Sequence, residues 1–260
     1  MQTVVTSTRA PLISIVTPSF NQGRFIEATI RSVIEQSYPN IEFIVIDAMS
    51  TDETREILDV YGKKISLVLR EYDSGQSDAI VKGFRLAKGE LVGWINSDDV
   101  LYPDCVARIV ETYNSNRGAV LFYNSTLDVI SESGQLKRTV RIGKISSERL
   151  LRVCPMIVQP GSFYRKDALE SVSYLETKLR YSMDLDLWLR LLRVGDCVDL
   201  KMGAIAAYRE WSGTKTSTGS RNLIDERLAL LKHHGARRCD RSILFLRFAR
   251  LKLWLRDFSN

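Results

Sequence analysis

The sequence predicts an α/β fold with a mainly parallel central sheet and helices on both faces. Strand-like and helix-like segments alternate regularly from Leu12 to Tyr123. The strand-like segments are continuous apolar runs, which is typical of parallel strands that are covered on both faces. Such alternation favours βαβ units, in which successive strands lie side by side in one sheet.

The first half of the chain is punctuated by residues that end strands and helices. Pro18 ends the first strand, and Gly62 and Gly89 end the second and third helices. Apolar side chains recur at helical spacing in each helix, with Phe25 and Ile26 opening the first apolar face. The predicted strands cover Leu12–Thr17, Ile41–Ile46, Ile65–Leu69, Leu91–Ile95 and Ala119–Tyr123. The predicted helices cover Arg24–Gln36, Thr51 or Asp52 to Tyr61, Gln76–Ala87 and Pro103–Tyr113.

The regular alternation fades after Tyr123. Two strand-like segments, Leu127–Ile130 and Thr139–Ile142, flank the turn-forming residues 131–134 and predict a hairpin. We expect a main domain over residues 1–210 and an appendage over 211–260, made of a mobile loop and C-terminal helices. The remaining predicted elements are a helix over Ile145–Val153, a strand over Gly161–Tyr164, an amphipathic helix over Met183–Val194, a strand over Ala204–Tyr208, a loop over Ser212–Ser220 and two helices within Arg221–Arg256.

The composition is that of a globular protein that works inside the cell. The 260 residues are 45% hydrophobic and 26% charged, which allows a large core, and the net charge is +6. Four cysteines lie far apart without a CxxC pair, and only two histidines occur, so zinc sites and disulfide scaffolds are not expected. The start of the chain lacks an apolar secretory segment, and no apolar run reaches membrane-spanning length. We therefore expect a cytoplasmic protein.

Two adjacent carboxylates, Asp98 and Asp99, follow the fourth predicted strand. Ligands of open α/β sheets bind at the carboxyl ends of strands, and neighbouring acids repel each other unless a cation or hydrogen-bond donors offset the charge. A divalent ion that carries a diphosphate fits this position, because Mg²⁺ and Mn²⁺ prefer oxygen ligands. The alternative is that the acids stabilise the start of the next helix.

Polar groups also follow the other predicted strands. Thr17–Asn21 is either a strand-to-helix turn or a wall for a planar base, with Phe20 as the apolar contact. Asp47 at a strand end is placed to bind a base or ribose, whereas Asp52 serves as a helix cap. Residues 73–78 form a third group, and residues 96–99 a fourth. Such groups on neighbouring strands favour a common site over helix capping alone.

These motifs, in this order, resemble the family-2 glycosyltransferases, whose nucleotide-sugar-binding fold is called GT-A. The resemblance covers about residues 11–210 and implies an inverting transferase of bacterial polysaccharide synthesis, with a UDP- or dTDP-sugar donor and a glycan or lipid-linked acceptor. Gln159–Phe163 resembles a segment under the acceptor site of the family, although a simple turn explains it equally. The matching segments are Ser14–Asn21, Ser32–Glu42, Ile46–Asp47, Ser50–Asp52, Asp73–Ala79, Asn96–Asp99 and Asp184–Arg190.

The resemblance implies roles for individual residues. It implies that Asp98 and Asp99 hold Mn²⁺ or Mg²⁺ on the donor diphosphate, and that Asp184 is the catalytic base, with Asp186 as the second candidate. Asp184 and Asp186 are two residues apart and cannot share a helical face, and the alternative role of Asp184 is to stabilise the helix dipole. The implied nucleotide-binding residues are Thr17, Pro18, Phe20, Asp47, Gln76, Asp78 and Asp98.

The sequence departs from the family pattern at three positions. Asn96 replaces the first acid of an Asp-x-Asp motif, and Ala48 replaces a second acid after strand two. Trp211 stands where many members carry a metal-binding histidine, and tryptophan is not a metal ligand. His233 or His234 is an alternative ligand, although an adjacent pair on a helix is more often solvated.

The C-terminal segment is apolar and basic. Residues 241–256 predict either a helix that docks on an anionic membrane surface at the inner face of the plasma membrane, or a helix that packs on the main domain. The apolar stripe is Leu244, Phe248, Leu251 and Leu255, and the basic residues are Arg247, Arg250, Lys252 and Arg256.

Two other functions share the expected nucleotide site. A sugar-nucleotidyltransferase would normally show a glycine-rich phosphate loop near the first strand, which Gly23 alone does not supply. A non-catalytic nucleotide-sugar-binding protein is suggested by Asn96 and Trp211. Nucleic acid is not an expected partner, because the basic residues lack interleaved aromatic side chains.

Overall fold

A computed structural model describes residues 10–154, 157–215 and 220–258 of the chain. The strands are β1 (Ile13–Ser19), β2 (Ile41–Asp47), β3 (Leu67–Arg70), β4 (Leu91–Trp94), β5 (Val100–Leu101), β6 (Leu121–Tyr123), β7 (Thr126–Ile130), β8 (Leu136–Arg141), β9 (Phe163–Arg165), β10 (Cys197–Asp199) and β11 (Ala206–Arg209). The helices are α1 (Gly23–Ile34), α2 (Thr54–Tyr61), α3 (Gln76–Leu86), α4 (Cys105–Ser115), α5 (Ser147–Val153), α6 (Lys166–Ser171), α7 (Met183–Leu191), α8 (Ser220–His233) and α9 (Arg241–Phe258).

The central sheet has seven strands in the order β10-β6-β9-β4-β1-β2-β3. All neighbouring strands are parallel except β9, which runs antiparallel to both β4 and β6. The α/β fold class is therefore confirmed, and the sheet is mixed rather than wholly parallel. The fifth predicted strand forms β6, but β9 separates it from β4.

The predicted hairpin belongs to a second sheet of four strands, in the order β5-β11-β7-β8. β7 and β8 pair antiparallel from Thr126 opposite Arg141, and Gly134 adopts a φ of 87° in the connecting turn. β11 joins β7 in parallel and β5 in antiparallel. The very short β5 and β10 and the six-residue α6 were not predicted.

Alternate residues of the central strands point into two hydrophobic clusters, one on each face of the sheet. Ile13 and Ile15 of β1 enter one cluster, whereas Val16 enters the other. In β2, Phe43 and Val45 likewise separate from Ile44 and Ile46. Burial on both faces explains the continuous apolar runs of these strands.

The register of the sheet brings the carboxyl ends of the first strands to one edge. Ser19 lies opposite Asp47, which in turn lies opposite Arg70, and the N–H of Ile95 just after β4 donates to Val16 O at 2.9 Å. The polar groups that follow β1, β2, β3 and β4 therefore share one rim of the molecule.

The C-terminal part consists of two helices, as predicted. Leu228 and Leu231 of α8 and Ile243 and Leu246 of α9 are buried in the cluster that also holds Trp188 of α7. No helix among residues 10–154, 157–215 and 220–258 is long and apolar enough to cross a membrane. Residues 216–219 of the predicted loop, and the side chains of Leu255 and Arg256, lie outside the described part.

Candidate active site

A pair of carboxylates, the half-buried Asp98 and the buried Asp99, follows β4. Asp99 is fully buried; its Oδ1 accepts a hydrogen bond from the backbone N–H of Arg209 at 2.8 Å, and its Oδ2 accepts one from Asn96 Nδ2 at 3.1 Å. Burial raises the pKa of Asp98, and burial together with the charge of Asp98 raises the pKa of Asp99 well above its usual value. The folded chain thus holds two carboxyl groups that resist simultaneous ionisation, which is the arrangement that a bound cation relieves.

Asn96 connects this pair to a lysine through side-chain amides. Its Oδ1 accepts a hydrogen bond from Gln76 Nε2 at 2.6 Å, and Gln76 Oε1 accepts one from Lys215 Nζ at 2.8 Å. Lys215 forms no ion pair within 4.0 Å with a carboxylate of the described residues, but Asp98 acts on it electrostatically. Asn96, which departs from the Asp-x-Asp pattern, therefore links the cationic side chain of Lys215 to Asp99 by way of Gln76.

Trp211 packs over the same rim. Its Nε1 donates to Asp98 Oδ2 at 3.0 Å, and its ring lies 5.0 Å from that of Phe25 between centroids. A Cβ added to Gly213 would lie only 2.2 Å from Trp211 Cζ3, so the loop approaches the indole closely. Trp211 therefore orients Asp98 by hydrogen bonding, in the position where the family pattern has a metal ligand.

Asp98 and Asp99 can bind a divalent cation only if the protein supplies few of its ligands. No group of three or more His, Cys, Asp or Glu side chains among the described residues is arranged to hold a metal. The suggestion that His233 or His234 replaces the missing histidine is wrong for His234, whose ring is buried between Asp186 and Arg193. Mg²⁺ and Mn²⁺ sites often use one or two carboxylates plus substrate phosphates. Asp98 and Asp99 satisfy that minimal requirement.

Asp47 is already engaged by protein groups. Its Oδ1 accepts from Ser50 Oγ at 2.5 Å, and its Oδ2 accepts from the N–H of Ser50 at 3.2 Å and from Arg70 Nε at 3.0 Å. The side chain is fully buried. Asp47 therefore holds the turn after β2 and pairs with β3, and any role in base binding would pass through Ser50 and Arg70.

The turns after β1 and β2 present exposed apolar side chains. Phe20 is 60% exposed and Met49 is 37% exposed. Asn21 and Met49 adopt positive φ values of 51° and 60°, a conformation that is costly for methionine and is often found at functional sites. The two turns are joined, because the N–H of Asn21 donates to Ser50 Oγ at 2.8 Å.

Two hydroxyl groups near the end of β1 are buried without a hydrogen-bond partner among the described residues. Pro18 is buried, and the hydroxyls of Thr17 and Ser19 have no hydrogen-bond partner among the described residues. Buried hydroxyls without partners are uncommon, and ligand atoms or water often satisfy them. The end of β1 thus offers both apolar and polar contacts to a planar group.

Gln76 and Asp78 differ in what they offer to a ligand. Asp78 Oδ2 accepts from the N–H of Ser74 at 3.0 Å and lies 3.6 Å from Lys82 Nζ. The hydrogen bond from Ser74 lowers the pKa of Asp78. Asp78 thus stabilises the start of α3, whereas Gln76 points into the network of Asn96 and Lys215.

Asp184 lies in the first turn of α7, as predicted. Its Oδ1 accepts from the N–H of Leu185 at 2.7 Å. Burial raises its pKa, and the guanidinium of Arg227 from α8 opposes this rise. A carboxylate with a raised pKa accepts a proton at higher pH than an ordinary aspartate, as a general base requires.

Asp186 has a different environment. Its Oδ1 lies 2.8 Å from His234 Nε2, and its Oδ2 accepts from Arg190 Nε at 2.8 Å. Burial alone would raise the pKa of Asp186, but hydrogen bonds from His234 and Arg190 outweigh burial and lower it. Asp186 thus links α7 to His234, the residue just after α8, and both of its carboxylate oxygens are engaged in these contacts.

The start of α7 is held by a residue that the sequence analysis missed. Glu226 of α8 accepts hydrogen bonds from the N–H groups of Arg180, Tyr181 and Ser182 at 2.8, 2.8 and 2.7 Å. On the other side, Ser77 Oγ donates to Leu179 O at 2.8 Å. The segment that leads into Asp184 is therefore fixed between α3 and α8.

Lys215 interacts with both parts of the site, which are the carboxylates after β4 and the segment before α7. Burial and the nearby Arg180 lower its pKa, whereas Asp73, Glu226 and Asp98 oppose this effect. Lys215 thus interacts electrostatically with the carboxylate rim, formed by Asp98 and Asp99, and with the residues around the start of α7. Neither Lys215 nor Glu226 has a distinctive local sequence pattern, since each acts on residues that are distant along the chain.

Solved structures with the GT-A architecture share this fold. Staphylococcus aureus TarS, residues 1–349 in complex with UDP-GlcNAc, matches with a TM-score of 0.67 at 17% identity, over 95% of this chain and 73% of that one. The mannosyltransferase PcManGT from Pyrobaculum calidifontis, in complex with GDP-Man and Mn²⁺, matches with a TM-score of 0.62 at 18% identity, over 92% and 70% of the two chains. The class of fold predicted from the sequence is thus confirmed.

The family follows from the sequence match. The model of glycosyl transferase family 2 matches residues 14–173, so the chain belongs to this family. An uncharacterized glycosyltransferase of Rickettsia typhi is 28% identical in an alignment of 201 residues that covers 72% of this chain and 61% of that protein. The chain therefore spans about three fifths of that relative's length. The matched range ends before Asp184.

Two further relatives carry names from glycan biosynthesis. A Bacillus subtilis protein, TuaG, named for teichuronic acid biosynthesis, is 40% identical over 104 residues, covering 39% of this chain and 41% of TuaG. A PGL/p-HBAD biosynthesis glycosyltransferase of Mycobacterium bovis is 27% identical over 212 residues, covering 78% and 79% of the two chains.

Proposed function

We propose that this protein is an inverting glycosyltransferase that moves a sugar from a UDP- or dTDP-sugar to a hydroxyl of a glycan or lipid-linked acceptor in surface polysaccharide synthesis. The observation that carries the proposal is the carboxylate pair of the half-buried Asp98 and the buried Asp99 at the carboxyl end of β4, linked to Lys215 through Asn96 and Gln76. Membership of family 2 and the names of TuaG and the Mycobacterium bovis relative support the reaction class.

The donor base is proposed to lie against the turns after β1 and β2. Phe20 and Met49 supply exposed apolar surface there, and the hydroxyls of Thr17 and Ser19 supply unused polar atoms. TarS was solved with UDP-GlcNAc and PcManGT with GDP-Man, so both neighbours bind nucleotide sugars. These names support a nucleoside-diphosphate donor.

The diphosphate is proposed to lie between Asp98 and Lys215. When Mn²⁺ or Mg²⁺ is bound, Asp98 and Asp99 would hold it, and it would supply Lewis-acid neutralisation of the leaving diphosphate. Lys215 adds a protein cation on the same side. Its partner Gln76 is a neutral amide, so binding an anion does not require Lys215 to break an ion pair.

The transfer is proposed to be a single displacement. Asp184 accepts the proton of the acceptor hydroxyl, whose oxygen forms a bond to the anomeric carbon as the bond from that carbon to the diphosphate oxygen breaks. The electron pair leaves with the nucleoside diphosphate, and the anomeric configuration inverts. The raised pKa of Asp184, caused by burial, favours this proton transfer.

One alternative has an observation in its favour. Trp211 donates to Asp98 Oδ2, so one of the two oxygens of this carboxylate is already engaged by the protein, and this suits a non-catalytic nucleotide-sugar-binding protein. Family membership argues against the sugar-nucleotidyltransferase alternative.

We propose a cytoplasmic location at the inner face of the plasma membrane, with no nucleic acid as partner.

The experiment that tests the function measures nucleoside diphosphate release and sugar transfer from a panel of UDP-, dTDP- and GDP-sugars with Mn²⁺ or Mg²⁺. We expect release with at least one donor, and its loss in Asp99→Ala. Donor binding without release by the wild type would favour the non-catalytic alternative. Absence of both binding and release for every donor and ion would refute the proposal.

A further inference from the structure

Helix α9 is apolar on two opposite faces. One face packs against α5 and α8, with Ser242, Ile243 and Leu246 at most 5% exposed. The other face also carries large apolar side chains, spaced as on one side of a helix. They are between 45% and 69% exposed, and they are Leu244, Phe245, Phe248, Leu251 and Trp254. A surface helix normally presents polar residues on its outer face, so this face indicates a binding surface.

Basic side chains surround the exposed apolar face. Residues 237–254 contain six basic residues and only one acidic residue, Asp240. Lys252 extends its ammonium over the ring of Phe248, at 4.7 Å from the centroid, so it covers apolar surface while it stays exposed. The exposed basic residues are Arg237, Arg238, Arg241, Arg247, Arg250 and Lys252.

We propose that the outer face of α9 docks on an anionic lipid bilayer, with its aromatic and leucine side chains in the interfacial region and its basic side chains on the headgroups. The charge pattern selects this partner over a second copy of the chain. A symmetric contact between two copies would bring Arg241, Arg247 and Lys252 against basic residues of the same kind. An anionic surface complements every one of these charges.

The docked helix would be attached directly to the proposed acceptor end of the site. α9 packs on α8, where Arg250 Nε lies 2.8 Å from Asp225 Oδ1. The next residue of α8, Glu226, holds the segment before Asp184. This inference rests on the proposed function only for its purpose, which is to bring the base close to a lipid-linked acceptor.

The test is sedimentation of the 260-residue chain with lipid vesicles, without any sugar nucleotide. We expect binding to vesicles that contain phosphatidylglycerol, weak binding to neutral phosphatidylcholine vesicles, and loss of binding as salt rises. Phe248→Glu is expected to weaken binding at least tenfold. Arg247→Ala is expected to weaken binding to the anionic vesicles by roughly fivefold and to leave neutral vesicles unaffected. Leu136→Glu on β8, at a side chain of similar exposure, is the matched control and should bind like the wild type.

Several results would overturn the docking proposal. One is that the wild type does not sediment with anionic vesicles. Another is that Phe248→Glu binds anionic vesicles as strongly as the wild type does. Light scattering that shows a wild-type dimer and a Phe248→Glu monomer would identify a second copy as the occupant instead. Calorimetry with UDP on the same samples reports donor binding separately, so failure of docking and failure of the proposed function are distinguishable.

Discussion

Glu226 offers a direct test of how the base is positioned. Its two carboxylate oxygens accept three backbone N–H groups in the segment that enters α7, two on Oε1 and one on Oε2. Glu226→Gln keeps one oxygen for Tyr181 and Ser182, but it places an NH₂ group against the N–H of Arg180. The variant therefore loses one hydrogen bond and the negative charge, which also strengthened the two hydrogen bonds that remain.

The magnitude follows from these contacts. A hydrogen bond to a charged group contributes about 1.5–3 kcal/mol, and a charge at a helix end about 0.3–1 kcal/mol. Glu226 is half-buried, so water replaces part of the loss, and we expect about 1–2 kcal/mol of destabilisation. Looser placement of Asp184 is expected to lower kcat by about 10–100-fold, because small misplacements of reacting groups are costly.

The assay compares kcat, the KM for donor and the free energy of unfolding for wild type and Glu226→Gln. We expect kcat to fall while the donor KM stays close to the wild-type value, since Glu226 does not hold the carboxylate rim. Glu56→Gln, at an exposed position in the first turn of α2, is the matched control: it should leave kcat and KM unchanged and lower the free energy of unfolding by at most about 0.3–1 kcal/mol. An unchanged kcat in a destabilised Glu226→Gln would show that the contact is structural only and would refute this reasoning.

Three further predictions address the base, the carboxylate pair and the lysine. Asp184→Asn should lower kcat by about 10²–10⁴-fold with unchanged donor affinity in calorimetry, and near-normal turnover would exclude it as the base. Raised pKa values of Asp98 and Asp99 mean that the folded chain binds more protons than the unfolded chain. The stability that they contribute is therefore lost as pH rises from about 4 through the raised values. Asp98→Asn, whose amide oxygen still accepts from Trp211, should melt like the wild type near pH 4 and at higher temperature at pH 7–8, and a lower melting temperature at pH 7–8 would contradict this. Lys215→Ala should weaken UDP binding more than UMP binding, whereas Lys232→Ala, at an exposed lysine, should weaken neither; equal loss for both nucleotides would place Lys215 away from the diphosphate.

Local patterns predicted the first half of the fold well. β1 to β4 and the helices between them lie within a few residues of their expected bounds, because each strand is a continuous apolar run with a clear end. The predicted strand ends also indicated that Asp98, Asp99 and Gln76 lie close together, since the carboxyl ends of parallel strands meet at one edge of the sheet. Here local sequence is sufficient, because each of these strands and helices has its own apolar pattern and its own terminating residues.

Long-range contacts account for what the sequence analysis missed. β9 is three residues long and inserts antiparallel between β4 and β6, which no local pattern indicates. Arg70 of the neighbouring strand β3 donates to Asp47, a contact that the sequence analysis did not predict. Glu226 acts on Ser182 from a position 44 residues away. Such contacts depend on how helices pack on the sheet, and the periodicity of the sequence does not encode them.

The carboxylate rim can be tested most directly by anomalous diffraction from crystals grown with UDP and Mn²⁺. We expect a single strong manganese peak beside the carboxylates of Asp98 and Asp99, next to the bound diphosphate, with the base against Phe20. Nucleotide bound elsewhere on the chain, or a manganese peak remote from Asp98 and Asp99, would contradict the proposed site.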